Sequence, residues 1–591
     1  MDRVREVPVV AGVEKLRHQV FLPGKTFDLP HVRFWLAVSL LFAAGFALMG
    51  VLDAFQQPYT IQDDARQHVF WMQRFLNPDL FPDDLIADYY QSIAPRGYST
   101  VYRLLAGLGL SPILTSKVIP PVLFVLNAGL MYLLALELLP IPAAAFSSSL
   151  LLSQSLGMTD AVFSGTAKAF VYLCALSMLY CLVRGWLIPL WVAIALQSWF
   201  YPQLVLVFAG MLLLGLVEWK RGRWHLSSSR QMWMLCLSGI AVCIVVMLPF
   251  LLSSNPFGPT VPLTDARKMP EFLAGGRTQF FYDDDPARFW LDGRGGIRIN
   301  SVLTPVTHAL GLAFPLMLCF PRQFPLIQHI SKASGTGNIR WLPRLAISSL
   351  FWFAAAHATL FILYLPSRFT EHPLRLVLAT CTGLAIATLI DAAWKIFNQA
   401  SSTIRSWSAG AIAILLSALL LGYPLLAPGF PFARYTVGRH PELYEFFQAQ
   451  PEDITIASLG DEGSFIATFA HRSVLVDREF AIPYHTGYYR QIRQRATDLI
   501  AAQYSLDSQP VLDAIANYTI DFWVLTRNAF NSEALHNNRW LQQYQPTAQN
   551  AEANLRAAPP ILSTLASTCT VFETRAHQVL DSTCIQQQLM E

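Results

Sequence analysis

Apolar residues run almost unbroken through 34–52 ("FWLAVSLLFAAGFALMGVL") and again at about 118–139, 141–157, 166–183, 186–200, 203–218, 232–252, 302–320, 345–365, 374–394 and 407–427. A helix crosses a bilayer core in roughly 20 apolar residues, so these runs predict a polytopic α-helical membrane protein of about eleven transmembrane helices. The apolar stretch 186–218 holds "SWFYPQ" at its middle; Pro202 interrupts a helix there and divides the stretch into two short spans. Polar sequence separates the runs unevenly, with long loops at 53–117 and 253–301 and a polar tail from 428 to 591.

Inside the polar regions the period changes. From Asp64 onward, Asp64, His68 and Met72 share one helical face, which predicts a short interfacial helix with Phe70, Trp71, Phe75 and Phe81 at headgroup level. In the tail, "DITIASLG", "RSVLVD" and "TIDFWVLTR" are β-rich, whereas "YYRQIRQRATDLIAAQYS" and "SQPVLDAIANY" have helical spacing. That alternation predicts a C-terminal α/β domain, 428–591, around a largely parallel sheet.

Composition agrees: of 591 residues, 53% are hydrophobic and only 14% charged, against roughly a quarter in soluble chains. The net charge of +3 gives no reason to expect a nucleic-acid partner. Placement of charge is more informative. The first 33 residues carry Arg3, Arg5, Lys15, Arg17, Lys25 and Arg33, a lead too long for a cleaved secretory signal. With this segment cytoplasmic, Arg184, "EWKRGRWHLSSSR" (218–230), the segment 321–344 and the loop Lys395 to Arg405 also fall inside, and all are basic. The loops 53–117 and 253–301, the turn "GMTDAVFSG", "PSRFTEHP" (366–373) and the tail fall on the opposite side and carry the acids. The expected location is a bacterial plasma membrane, crossed many times, with the transmembrane unit over 34–427 and the tail extracytoplasmic.

Cys174, Cys181, Cys236, Cys243, Cys319 and Cys381 lie in apolar runs, where a thiol acts as a small hydrophobe. Cys569 and Cys584 lie in the tail, in "CTVFETRAHQVLDSTC", which reads as two short strands around a turn. An oxidising compartment predicts a disulfide between them; a reducing one leaves two thiols.

The candidate chemistry starts at "QDDARQH". Asp63 and Asp64 would serve as a base toward an acceptor hydroxyl, or as hard oxygen ligands for Mg²⁺ or Mn²⁺; the plainer reading is a hydrated helix cap. Arg66 and His68 flank the pair as substrate-binding candidates. "YLPSRFTEHPLRL" supplies Arg368 and Arg375, with Glu371 and His372 between them, as a phosphate site at a membrane edge; the alternative is that both arginines snorkel to headgroups. Lys168 and Arg96 are further cations for the same role. Asp283, Asp284 and Asp285 in "FFYDDDPARFWLDGRGGIR" read as a solvated acidic loop before a metal site. "LGDEGSF" (459–465) reads as a strand-to-helix turn before a ligand loop, and His357 as a helix-packing residue.

This layout resembles the glycosyltransferase C superfamily, which includes oligosaccharyltransferase, protein mannosyltransferases and the aminoarabinose transferase of lipid A. The shared features are an acidic motif in the first extracytoplasmic loop, eleven or more helices of which several are short, and a C-terminal extracytoplasmic domain. The resemblance implies an inverting glycosyltransferase of cell-envelope glycan biosynthesis. Its partners would be membrane lipid, a polyprenyl-phosphate sugar donor and a lipid, glycan or protein acceptor. Asp63 and Asp64 match the first-loop acid, which acts as base or helps hold a metal. Asp160 matches a second acidic motif, as a single acid. No cofactor is fixed by the sequence, Mg or Mn being the metals such acids would take. Neither the Trp-Trp-Asp acceptor motif nor a matching second-loop glutamate is present, which argues against peptide glycosylation. A transporter or flippase of lipid-linked glycans would place charge at mid-membrane and repeat its halves, and neither is seen. A non-catalytic protein of the same fold stays open.

Overall fold

The computed structural model describes residues 8–220, 222–329, 335–399 and 403–591. Arg3 and Arg5 of the basic leader lie outside these residues, as do parts of the basic segments 218–230, 321–344 and 395–405.

Each apolar run holds a helix, and among the described residues six helices are long and apolar enough to cross a membrane, where about eleven transmembrane helices, several of them short, were expected: Pro30–Phe55, Pro112–Leu138, Ala167–Arg184, Arg230–Leu252, Ser367–Gln399 and Thr403–Leu426. Leu187–Phe200, Gln203–Gly215 and Val306–Met317 are shorter apolar helices. The helix Leu187–Phe200 ends just before Pro202, which sits at the N-cap of the next, as its fixed φ and missing N–H require. Pro142–Gly157 is buried along its whole length, between Pro112–Leu138 and Ser367–Gln399. Its small residues permit that position: a Cβ on Gly383 would come 2.3 Å from the Ser148 Cα, so the two backbones meet directly.

The apolar run at 345–365 forms a helix only as far as Ala358. The next helix starts at Ser367, so "SRFTEHPLRL" is its first turns and not a surface loop. Polar residues there face other polar residues inside the bundle, which a one-dimensional hydropathy reading cannot register.

The C-terminal region holds a five-stranded sheet in the order Ser473–Val474, Thr455–Ser458, Phe522–Thr526, His577–Asp581, Thr570–Glu573. The first three strands are parallel and the last two pairings antiparallel, so the sheet is mixed where a largely parallel one was expected. The antiparallel edge is the predicted strand–turn–strand, and Cys569 and Cys584 are disulfide-bonded beside it, Cα to Cα 5.5 Å.

Both long loops of the helical part bind this region. Strand Thr60–Gln62 pairs antiparallel with Tyr435–Val437, 375 residues away at Ile61↔Thr436. The loop 253–301 lies along 480–489, with a bridge at Thr260↔His485, and packs Phe272 and Phe280 beside Tyr484. The expected interfacial helix is therefore covered: Phe70, Trp71 and Phe81 are buried, and the Phe70 ring sits 4.7 Å from that of Phe480.

Candidate active site

The helix Asp63–Val69 starts directly after the strand Thr60–Gln62. Its cap is Gln62, whose side-chain oxygen accepts from the amides of Asp64 and Ala65 at 2.8 and 3.1 Å. Neither aspartate is consumed as a cap, and the helix turn points them apart. Asp63 pairs with Arg66 at 2.9 Å, and Arg66 reaches on to Glu479 at 3.3 Å and Ser464 at 3.2 Å. Glu479 also takes Arg277 of the second loop. That face is a three-way junction between loops and C-terminal region. Asp64 faces the other way, into a cavity.

Asp160 and Lys168 reach the same cavity from the connection after Pro142–Gly157. Gly165 makes the connection tight: its φ is +60°, and a Cβ there would lie 2.7 Å from the Ser116 carbonyl oxygen. Lys168 follows on a 3₁₀ turn, Ala167–Phe170. Its ammonium is in contact with Asp64 and lies 3.5 Å from Asp160, whose other oxygen is 3.6 Å from Arg434.

The third contribution is the start of Ser367–Gln399. Arg368, Glu371 and His372 line the cavity. The His372 Nδ1 shares a hydrogen bond with the Tyr172 hydroxyl at 2.9 Å, while its Nε2 is buried with no hydrogen-bond partner among the described residues. Arg375, one turn further, is fully buried. It donates to Thr159 Oγ1 at 3.0 Å and to the Ser301 carbonyl at 3.1 Å, and Ser301 Oγ donates to Glu371 at 2.9 Å. Arg375 therefore clamps the Asp160 connection and the end of the second loop to one helix, and it neither snorkels nor faces ligand space.

The cavity measures about 1080 Å³. Lys168, Arg294, Arg298, Arg368 and Arg434 line it against Asp53, Asp64, Asp160 and Glu371, an excess of cations suited to an anionic ligand. Arg298 lies 3.8 Å from Glu371. Among the described residues Arg294 and Arg368 line it with no carboxylate at ion-pair distance. Burial opposes the charged form of Asp64, but the Lys168 ammonium beside it and Arg368 beyond hold its carboxyl well below the usual carboxylate range. Burial drives the His68 imidazole down to about 4 against the pull of Asp64, so it is neutral at pH 7.

Of the residues singled out in the sequence, Asp64, Asp160, Lys168, Arg368, Glu371 and His372 share the cavity. Asp63 and Arg66 belong to the junction behind it, His68 packs edge-on to Tyr90 at 5.4 Å, and Arg375 is a clamp. Arg96 stands exposed at the start of Arg96–Gly107, outside the cavity. Asp53, Arg294, Arg298 and Arg434 were missed; "DGRGGIR" and the first arginine after the last apolar run were the available signals.

Among the described residues no three His, Cys, Asp or Glu side chains group to hold an ion, and Lys168 occupies the space between Asp64 and Asp160. The other acidic stretches are accounted for locally. Asp285 caps Pro286–Leu291, Asp283 pairs with Arg267 at 3.5 Å, and Glu462 of "LGDEGSF" accepts from Tyr444 at 2.6 Å. His357 packs through a contact to the Gly295 carbonyl at 2.7 Å.

No protein-family model and no curated protein matches the sequence. Solved structures do. The archaeal oligosaccharyltransferase AglB from Archaeoglobus fulgidus, in complex with an inhibitory peptide and a dolichol-phosphate, aligns over 88% of this chain and 72% of its own, with a TM-score of 0.52 at 12% identity. ArnT from Cupriavidus metallidurans aligns over 93% and 97%, TM-score 0.44, 12% identity. The mycobacterial arabinofuranosyltransferase AftD aligns over 85% and 37%, TM-score 0.48, 15% identity. The chain shares its fold with AglB over 88% of its length.

Proposed function

We propose that the chain is a membrane glycosyltransferase that moves a sugar from a polyprenyl-phosphate donor to an acceptor hydroxyl on the extracytoplasmic face. The observation that carries the reading is the meeting of Asp64, Asp160, Lys168 and Arg368, from three distant stretches, around one cavity with an excess of cations. The dolichol-phosphate bound by AglB, on the same fold, supports the choice of donor.

Asp64 is the base. It takes the proton of the acceptor hydroxyl, the acceptor oxygen forms its bond to the anomeric carbon, and the carbon–oxygen bond to phosphate breaks. The electron pair leaves with the phosphate, and Arg368 and Lys168 stabilise the charge that develops there. Held by Lys168 in the resting site, Asp64 is a weak base. An incoming phosphate competes for the ammonium and returns basicity to the carboxylate at the moment it is needed. Arg375 and Glu371 keep the loops in register for that encounter.

The test is release of polyprenyl phosphate from a panel of polyprenyl-phosphate sugars by the protein in lipid nanodiscs, with a membrane-lipid extract supplied as the source of acceptor hydroxyls. Arg368→Gln lowers kcat by about 10²–10³, as loss of one transition-state charge contact does. Turnover by Arg368→Gln equal to the parent, or no release by the parent with any donor, contradicts the proposal.

A further inference from the structure

We infer that Lys168 is a built-in replacement for a divalent cation: its ammonium holds Asp64 and Asp160 together, so the site works without bound metal. The inference rests on the functional reading above for its role in transfer, but not for the occupancy it states.

The geometry leaves little for an ion to use. A Mg²⁺ or Mn²⁺ ion sits about 2.0–2.2 Å from several oxygens and needs them converging on open space. Here the point of convergence is taken by the ammonium. Asp64 Oδ2 contacts it, and Asp160 Oδ1 lies 3.5 Å away. The second oxygen of Asp160 faces Arg434 at 3.6 Å. Two carboxylates meet two cations, so this corner is already neutral, and a further divalent charge would be repelled by both.

The chain places the lysine there by construction. Lys168 rides on a turn that starts beside Gly165, whose backbone lies against Ser116, and the turn leads straight into the helix Val171–Arg184. Its side chain is only 17% exposed, so it is not a mobile surface lysine swinging into the site. A lysine supplies a point charge, as a metal does, and three donors, enough for two carboxylates and one phosphate oxygen. It differs from a metal in one respect that can be measured: it cannot be removed by a chelator.

Mn²⁺ binding followed by electron paramagnetic resonance on the full chain in nanodiscs tests this without reference to turnover. The parent shows no Mn²⁺ site that depends on Asp160, and the Lys168→Ala variant acquires one, tighter by about 100-fold or more once the adjacent positive charge is gone. Lys168→Ala with Asp160→Asn loses it again. A parent site abolished by Asp160→Asn overturns the inference, as does a folded Lys168→Ala that gains nothing. Should Lys168→Ala not fold, the parent titration and its Asp160→Asn control still decide. Absence of sugar transfer by the parent would instead strike the functional reading and leave the Mn²⁺ result standing.

Discussion

Two neighbouring aspartates with the same sequence credentials end in different roles. Asp63 and Asp64 are separated by one helical step of about 100°, and because Gln62 provides the cap, both side chains are free to reach sideways. One meets Arg66, the other Lys168. The acidic motif was legible in the sequence; which member faces the cavity was not, since that depends on the register of Thr60–Gln62 against a strand far along the chain. A third aspartate gives a pH signature. Burial pushes the Asp477 carboxyl up to about 7, against the Glu479 amide at 2.6 Å and Arg66. Its folded pKa lies above the unfolded value of about 3.9, so its contribution to stability is full below pH ~4 and is lost as pH rises through 7. The thermal midpoint of the parent therefore carries a decline between pH 4 and 7.5 that Asp477→Asn lacks; identical slopes in the two proteins contradict this.

Elements were easier to foresee than their ends. Each apolar run holds a helix, and Pro202 marks a true break. The start of Ser367–Gln399 was hidden because its first turns are polar, and their polarity is satisfied by Thr159, Tyr172 and Ser301 on other elements. The same blindness put Phe70 and Trp71 at headgroup level, when both are buried and the Phe70 ring packs against Phe480. The strand–turn–strand around Cys569 and Cys584, by contrast, is local, and its prediction stands. The bridge spans 15 residues of sequence, so in the chain-entropy model its removal costs about 3 kcal/mol. Cys569→Ser with Cys584→Ser lowers the unfolding midpoint of the C-terminal region, and treatment of the parent with a reductant reproduces the shift. An unchanged midpoint in both would show that the bridge adds nothing.

At the scale of the whole molecule, the site is assembled from parts with no sequence proximity. The first loop supplies Asp64, the connection before Val171–Arg184 supplies Asp160 and Lys168, the second loop supplies Arg294 and Arg298, the start of Ser367–Gln399 supplies Arg368, and the residue before the strand Tyr435–Val437 is Arg434. What the sequence carried was the inventory of charges and, through basic-loop counting, a common side for most of them. What it lacked was convergence, which is a property of packing. The C-terminal region is part of that assembly, since Tyr435–Val437 pairs with the strand that aims Asp64.

On the proposed mechanism one face of the Asp63–Val69 helix does chemistry and the other does architecture. Rates of polyprenyl-phosphate release by Asp64→Asn and Asp63→Asn, compared with the parent under single-turnover conditions, test it most directly. The expected outcome is that Asp64→Asn falls by about 10²–10⁴-fold while Asp63→Asn stays within about 10-fold of the parent. Equal rates for Asp64→Asn and the parent, or a collapse confined to Asp63→Asn, would contradict it.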